Sequence, residues 1–196
     1  MGLWALVYIV RQWKVKNNME KIIVFIDGSY IVKSADFKID YKKLMIFLTK
    51  KLEGKIENTI YFNSAPKQIT DSQEKFHNFL KSANPVGPGI EVEIYSLKSL
   101  DVNCRHCKKT HTRNVQNGVD VALATKMIEQ AYLKNCTRIV LLAGDSDFVP
   151  SLNFLRNHLN QKITTVGFRN TMSVELQSIS SDLIFLNEEK KNIERK

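Results

Sequence analysis

The sequence predicts an α/β fold, a three-layer sandwich with a mainly parallel central sheet, and two observations carry this prediction. Strand-like and helix-like segments alternate along the chain, an order that favours parallel strands with helices on both faces of the sheet. Residues 22–26 form a continuous apolar run and so do residues 139–143 of the predicted strand at 138–143, which is typical of strands buried on both faces. With 43% hydrophobic and 25% charged residues, the 196-residue chain has enough apolar surface for a core, which excludes a wholly disordered protein.

The alternation can be followed along the chain. The strands are short and apolar or rich in β-branched residues, and we place them at residues 22–26, 59–62, 90–97, 138–143, 162–167 and 183–186. The helices have apolar side chains at helical spacing, and we place them at residues 40–52, 71–81, 118–133, 148–159 and 174–179. Residues 98–117 fit neither pattern and are predicted to form an irregular insert.

We expect three segments: an N-terminal extension over residues 1–20, one domain over residues 21–187, and a polar tail over residues 188–196 that frays. The positive charges of the extension follow its apolar run instead of preceding it, which argues against a secretory signal. Met19 stands just before the first predicted strand, so our hypothesis is that translation starts there and that residues 1–18 are an upstream extension; a short anchor or an association strand is the alternative. The longest apolar run, residues 2–10, is about half of the roughly 20 residues that span a bilayer, so we expect no membrane partner.

The charge balance points to a polyanionic partner. Lys and Arg number 29 against 20 Asp and Glu, a net charge of +9, which favours nucleic acid, although the excess could serve solubility alone. The three cysteines, Cys104, Cys107 and Cys136, are too few and odd in number for a disulfide framework, so we expect a reducing, cytoplasmic location. Cys136 precedes a predicted buried strand and is expected to be a free core thiol.

Four aspartates form a predicted acidic site. Asp27 follows the first apolar strand directly, and Asp145 and Asp147 follow the strand at residues 138–143. Sites in open parallel sheets lie beyond the carboxyl ends of the strands where the strand order reverses, so we expect these carboxylates to face one another. Asp120, near the start of the helix at residues 118–133, lies opposite its polar face and is expected to point toward the core side.

A divalent cation would neutralise the repulsion between these carboxylates, and their hard oxygen atoms favour Mg²⁺ or Mn²⁺. The number of ions, one or two, stays open. The structural alternatives are a turn at Asp27, a helix-capping pair formed by Asn117 with Asp120, and capping of the following helix by Asp145 and Asp147.

Several segments carry a family resemblance. They are Val24-Phe-Ile-Asp-Gly28, Asn117-Gly-Val-Asp-Val-Ala-Leu-Ala-Thr125, Leu142-Ala-Gly-Asp-Ser-Asp-Phe-Val-Pro150, and Gly167-Phe168 with Ser173-Val-Glu-Leu176. With these segments in this order over residues 21–186, the chain resembles the NYN domain proteins, which are the LabA-like branch of the PIN-like nucleases. The resemblance implies a PIN-like fold, metal-dependent cleavage of RNA, and an acidic cluster at Asp27, Asp120, Asp145 and Asp147. The family often has Asn three residues after the first Asp, where this chain has Tyr30; Ser29 or Ser146 could supply the missing polar contact.

The predicted insert at residues 98–117 is basic and holds the cysteine pair. Between residues 98 and 113, five Lys and Arg stand against Asp101, a local net charge of 5 − 1 = +4. Cys104, Cys107 and His111 could supply three zinc ligands; a reduced thiol pair and a redox-active pair are the alternatives for the cysteines, and a solvated hairpin is the alternative for the insert as a whole. We expect phosphate contacts from Lys108, Lys109, Arg113 and Arg169, while Tyr30 and Phe168 could stack bases.

These observations favour a metal-dependent endoribonuclease, with Asp27, Asp120 and Asp145 as ligands of Mg²⁺ or Mn²⁺ and Asp147 as a further ligand or water-orienting group. One alternative is a non-catalytic RNA-binding or regulatory module of the same fold, of which Tyr30 would be a mark. A haloacid-dehalogenase-like phosphatase is disfavoured, because that chemistry needs a second Asp where this chain has Ser29. The expected partner is RNA, and a homodimer is left open.

Overall fold

The computed structural model describes residues 19–66, 69–115, 118–134 and 136–195. The predicted upstream extension over residues 1–18 and the proposed capping residue Asn117 lie outside the described residues. The central sheet is formed by strands β1 (Glu20–Asp27), β2 (Gly54–Ala65), β3 (Glu91–Ser96), β6 (Arg138–Leu142), β7 (Lys162–Gly167) and β8 (Asp182–Phe185). Strands β4 (Lys98–Asn103) and β5 (Thr110–Val115) form a separate antiparallel hairpin.

Helices connect the strands. They are α1 (Gly28–Ser34), α2 (Tyr41–Leu52), α3 (Asp71–Lys81), α4 (Val119–Leu133), α5 (Val149–Leu159), α6 (Val174–Ile179) and α7 (Lys190–Ile193), and a 3₁₀ turn (Ser146–Phe148) precedes α5. Among the described residues, the structure contains no helix whose length and apolar character would allow it to cross a membrane.

The strand order of the central sheet is β3-β2-β1-β6-β7-β8, and each neighbouring pair is parallel. The predicted α/β fold with a mainly parallel sheet is therefore confirmed. The chain builds outward from β1 to β3 on one side and returns to the other side of β1 with β6, so the strand order reverses between β1 and β6. Because Ile26 pairs with Leu142 across these two strands, the residues that follow them emerge side by side.

Both faces of the sheet are covered by helices, and β1 contributes to both cores. Ile23 and Phe25 pack against α4, α5 and α6, while Ile22, Val24 and Ile26 pack against α1, α2 and α3 on the other face. All five side chains are fully buried, as the continuous apolar run predicts. The central strands are thus fixed on both sides, which holds their carboxyl ends rigid.

Two predictions about the fold were wrong. Residues 98–117 were expected to be irregular, but β4 and β5 form a regular ladder, for example between Leu100 and Arg113. The side chains of β4 are all exposed, so the strand lacks the apolar alternation that marks a half-buried strand. The tail was expected to fray, but Ile193 is fully buried, and its carbonyl accepts a hydrogen bond from the Asp40 N–H at 2.8 Å.

Candidate active site

A cleft of about 570 Å³ lies at the switch point between β1 and β6. Three of the predicted carboxylates, Asp27, Asp120 and Asp145, line it together with Ser29, Tyr30 and Ser146. They come from three separate segments of the chain: the end of β1, the first turn of α4 and the loop after β6. The reversal of strand order therefore brings together side chains that are far apart in sequence.

Asp27 is the buried member of this set, with 7% of its surface exposed. It caps α1: its Oδ1 accepts hydrogen bonds from the Ser29 hydroxyl at 2.8 Å and from the Tyr30 N–H at 3.0 Å. The capping role and the cleft role are compatible, because both bonds end on Oδ1 and Oδ2 has no hydrogen bond to any described residue. The short helix α1 thus orients the Asp27 carboxylate.

Asp120 lies in the first turn of α4 and is exposed to the cleft. The expectation that it points toward the core side was wrong, because the first turn of α4 presents it at the open edge above the sheet. Desolvation raises the pKa of Asp120 above its ordinary value, and so do the negative charges of Asp27, Asp145 and Asp147. The positive charge of Lys33 opposes this rise.

Asp145 and Asp147 follow β6 in a tight turn. The Asp145 Oδ1 accepts a hydrogen bond from the Asp147 N–H at 3.1 Å and caps the 3₁₀ turn, so the predicted capping alternative is present here too. Both side chains are exposed. Asp147 is not among the residues that line the cleft, although its charge acts on Asp120.

The donor set fits a divalent cation that hard oxygen ligands prefer. Among the described residues, none of the four carboxylates forms an ion pair with Lys or Arg. Desolvation and, after it, the negative charges of the other three carboxylates raise the pKa of Asp120, and a bound cation would neutralise those charges. Within the same described residues, no group of three or more His, Cys, Asp or Glu side chains is already arranged to hold a metal. The carboxylates therefore share a cleft, but they would have to move closer together to coordinate one ion.

Tyr30 has a structural role that the sequence did not indicate. Its hydroxyl accepts a hydrogen bond from the Phe168 N–H at 2.9 Å and lies 3.0 Å from the Thr171 hydroxyl. Its ring lies against Gly144, where a Cβ atom would be 2.3 Å from the Tyr30 Cε2. Tyr30 thus ties α1 to the loop that follows β7, and this loop forms the opposite wall of the cleft.

Replacing Tyr30 by Phe is expected to lower the free energy of unfolding by about 1 to 2 kcal/mol, because the Phe168 N–H loses its acceptor. Urea unfolding followed by circular dichroism would measure the change. Tyr132→Phe is the matched control, since Tyr132 is 76% exposed, and its effect should stay within about 0.5 kcal/mol. Equal stability of the two variants would contradict the structural role of Tyr30.

Sequence reasoning missed Lys33 and the wall formed by Asn170, Thr171 and Ser173, all of which line the cleft. Lys33 was missed because α1 was not predicted: its Gly and β-branched residues give a poor helix signal. Had a helix been assigned there, Lys33 would fall four residues after Ser29, on the same face. The polar run Asn170, Thr171 and Ser173 directly after a strand was the available signal for the other wall.

The predicted phosphate-binding residues lie elsewhere. Lys108 and Lys109 occupy the turn of the β4–β5 hairpin and do not line the cleft. Arg169 also does not line it: its guanidinium pairs with Glu188 and lies 4.1 Å above the centre of the Phe185 ring. Arg113 is in β5, and its side chain lies outside the described part of the structure.

The cysteine pair occupies the tip of the hairpin. The N–H groups of Cys107 and His106 donate to the Cys104 sulfur and lower the pKa of its thiol, which favours a thiolate. The Cys107 Sγ lies 3.8 Å from the His111 Nε2. Cys104 and Cys107 are both free, as is Cys136, which is buried as predicted and whose pKa burial raises to about 11.

Zinc at the hairpin tip remains a prediction. Metal analysis of the purified protein is expected to give about one zinc per chain, and Cys104→Ser should abolish this zinc because it removes one of the three proposed ligands. Cys136→Ser is the control and should retain the metal. An unchanged zinc content in Cys104→Ser, or no zinc in the wild type, would contradict the zinc site and favour a reduced thiol pair at Cys104 and Cys107.

Comparison with known proteins gives one family. A family model described as the NYN domain matches residues 21–187. No curated protein matches the chain.

A solved structure supports the fold. A crystal structure of a protein of unknown function from Vibrio parahaemolyticus RIMD 2210633 is similar to this chain with a TM-score of 0.64 at 20% identity, and the match covers 87% of this chain and 94% of that one. This likeness concerns the fold alone. A structure of a Sir2 enzyme reaches a TM-score of only 0.36 at 10% identity, over 89% of this chain and 90% of that one, which is too low to indicate a shared fold.

Proposed function

The chain belongs to the NYN domain family, a family of PIN-like nucleases, and we propose that it is a metal-dependent endoribonuclease of the LabA-like branch. The observation that carries the proposal is the cleft at the switch point, which Asp27, Asp120 and Asp145 line together and in which none of them forms an ion pair with a basic residue of the described part of the chain.

Asp27, Asp120 and Asp145 would hold Mg²⁺ or Mn²⁺. When bound, such an ion neutralises charge on a phosphodiester and activates water for in-line displacement. Residues of the chain itself orient the carboxylates and contact the RNA. Ser29 and the Tyr30 N–H fix the Asp27 carboxylate in one orientation.

Lys33 lines the same cleft, where its ammonium group can contact a phosphate oxygen of the RNA. Asp147 does not line the cleft but acts on Asp120 through its charge, and it would orient water or serve as a further ligand. The basic hairpin, with Lys108, Lys109 and Arg113, would attract the RNA backbone at longer range.

The test is cleavage of a circular single-stranded RNA, which only an endonuclease can open. The full chain is incubated with Mg²⁺, with Mn²⁺ or with EDTA, and the products are separated on a denaturing gel. We expect linear RNA and then fragments with either ion and intact circles with EDTA. Intact circles under all conditions would refute the nuclease. If the circles were nonetheless bound, the non-catalytic RNA-binding module would become the better assignment.

A further inference from the structure

We propose that a second cavity, next to the acidic cleft, binds one unstacked nucleobase of a single-stranded RNA. The cavity measures about 460 Å³ and lies between α1, the carboxyl end of β2, and α3. This inference rests on the proposed nuclease function and adds a site that gives it base preference.

The cavity adjoins the cleft. Ser29 and Lys33, one turn apart on the same face of α1, line both cavities. A phosphate in the acidic cleft beside Lys33 would therefore leave the attached nucleoside at the mouth of the second cavity. Both cavities open at the carboxyl edge of the sheet, since Asn63, Ser64 and Ala65 end β2 and line the second cavity.

The lining suits a base better than a phosphate or a metal ion. Among the described lining residues, Lys33 is the one with a formal charge, and it stands at the junction with the cleft. Phe76, Val32 and Leu97 provide apolar walls. Aromatic and apolar faces of this kind stack on unpaired bases, which is how proteins hold single-stranded RNA.

His77 supplies the polar group that can read a base. It is a lining residue with only 7% of its surface exposed, and its ring makes no hydrogen bond to another described residue. Burial and the nearby Lys81 lower the pKa of His77, which favours the neutral form of the ring. A neutral imidazole offers one donor and one acceptor, which matches the mixed donor and acceptor edges of a nucleobase.

Gln73 adds a second polar group. Its Oε1 is occupied by the Thr70 N–H at 2.9 Å in the cap of α3, whereas its Nε2 has no hydrogen bond to any described residue. That amide nitrogen can donate to a carbonyl oxygen or ring nitrogen of the base. With the ring of Phe76 and the imidazole of His77, the cavity combines a stacking face with directional hydrogen bonds.

Binding is tested first, because it does not depend on cleavage. The four nucleoside 5′-monophosphates are titrated into the wild-type protein, and the ring signals of His77 are followed by NMR, with His77→Phe used to assign them. We expect saturable shifts at His77. The affinity obtained from them should be at least about fivefold higher for the preferred nucleotide than for the weakest one. No saturable shift of the His77 ring signals with any of the four nucleotides would overturn the proposal.

Cleavage then tests the role of the cavity in the reaction. The wild type is expected to prefer one base at a fixed position beside the cut, and His77→Phe should reduce this preference to below about twofold. Val32→Trp, at a side chain that is 73% exposed, should block the mouth of the cavity with the same result, whereas Ile46→Trp on α2, 55% exposed and outside the cavity, should not.

A wild type that cuts without base preference, or variants that keep it, would refute the cavity but not the nuclease. A wild type that does not cut at all would refute the nuclease and leave the NMR titration to decide the cavity.

Discussion

Replacing Asp145 by Asn is expected to reduce the rate of RNA cleavage at least about 100-fold while the protein stays folded. The substitution removes a negative charge from the cleft but keeps the shape of the side chain. An amide oxygen can still accept the hydrogen bond from the Asp147 N–H, which Asp145 Oδ1 now accepts at 3.1 Å. The loss would therefore come from the chemistry of the cleft and not from the cap of the 3₁₀ turn.

The measurement is a single-turnover time course on single-stranded RNA with Mg²⁺, together with a thermal melt. Asp36→Asn is the matched control: it removes the same charge at an exposed residue that does not line the acidic cleft. The control should cleave within about twofold of the wild type. Cleavage by Asp145→Asn at the wild-type rate would refute the assignment of the site.

The position of the acidic cleft could be predicted because it follows from topology. Asp27 and Asp145 are marked in the sequence by the apolar strands that precede them, and parallel strands place both at the same edge of the sheet. Their meeting requires that β1 and β6 be neighbours, and in the structure these two strands pair directly. The periodicity of α4 also assigned Asp120 to a helix start, although its direction was wrong.

The remaining parts of the site could not be predicted, because the signals that mark them are local and weak. Lys33 belongs to a helix of seven residues whose stability comes from the Asp27 cap and the packing of Ile31, not from helix propensity. The hairpin of β4 and β5 has no buried face, so hydrophobic alternation could not reveal it.

Tyr30 shows how a departure from a family pattern can mislead. The sequence suggested a residue that could stack bases or mark a decayed enzyme. The structure instead places its hydroxyl between the Phe168 N–H and the Thr171 hydroxyl and its ring over Gly144. A large side chain here needs a glycine opposite it, and Gly144 lies one residue before Asp145. Tyr30 and Gly144 therefore form a complementary pair that positions the wall of the cleft.

Asp120→Asn is expected to make the metal-free protein more stable at neutral pH and to remove its response to Mg²⁺. The pKa of Asp120 is raised in the folded protein by desolvation and by the neighbouring carboxylates. The folded state therefore binds this proton more tightly than the unfolded state, so the contribution of Asp120 to stability is lost as the pH rises through the raised pKa. At neutral pH the ionised side chain is a cost, which the amide relieves.

In EDTA at pH 7, we expect the melting temperature of Asp120→Asn to exceed that of the wild type by about 1 to 4 °C, and this gap to close as the pH falls toward the ordinary pKa of Asp. Added Mg²⁺ should raise the wild-type melting temperature, because an ion that binds only the folded state stabilises it by mass action. The melting temperature of Asp120→Asn, which has one carboxylate fewer in the cleft, should rise much less with Mg²⁺. Asp36→Asn again serves as the control and should keep the wild-type response to Mg²⁺. If Asp120→Asn melted below the wild type in EDTA, or if both gained equally from Mg²⁺, the carboxylates would not form one electrostatic unit, and a cation bound between them would lose its physical basis.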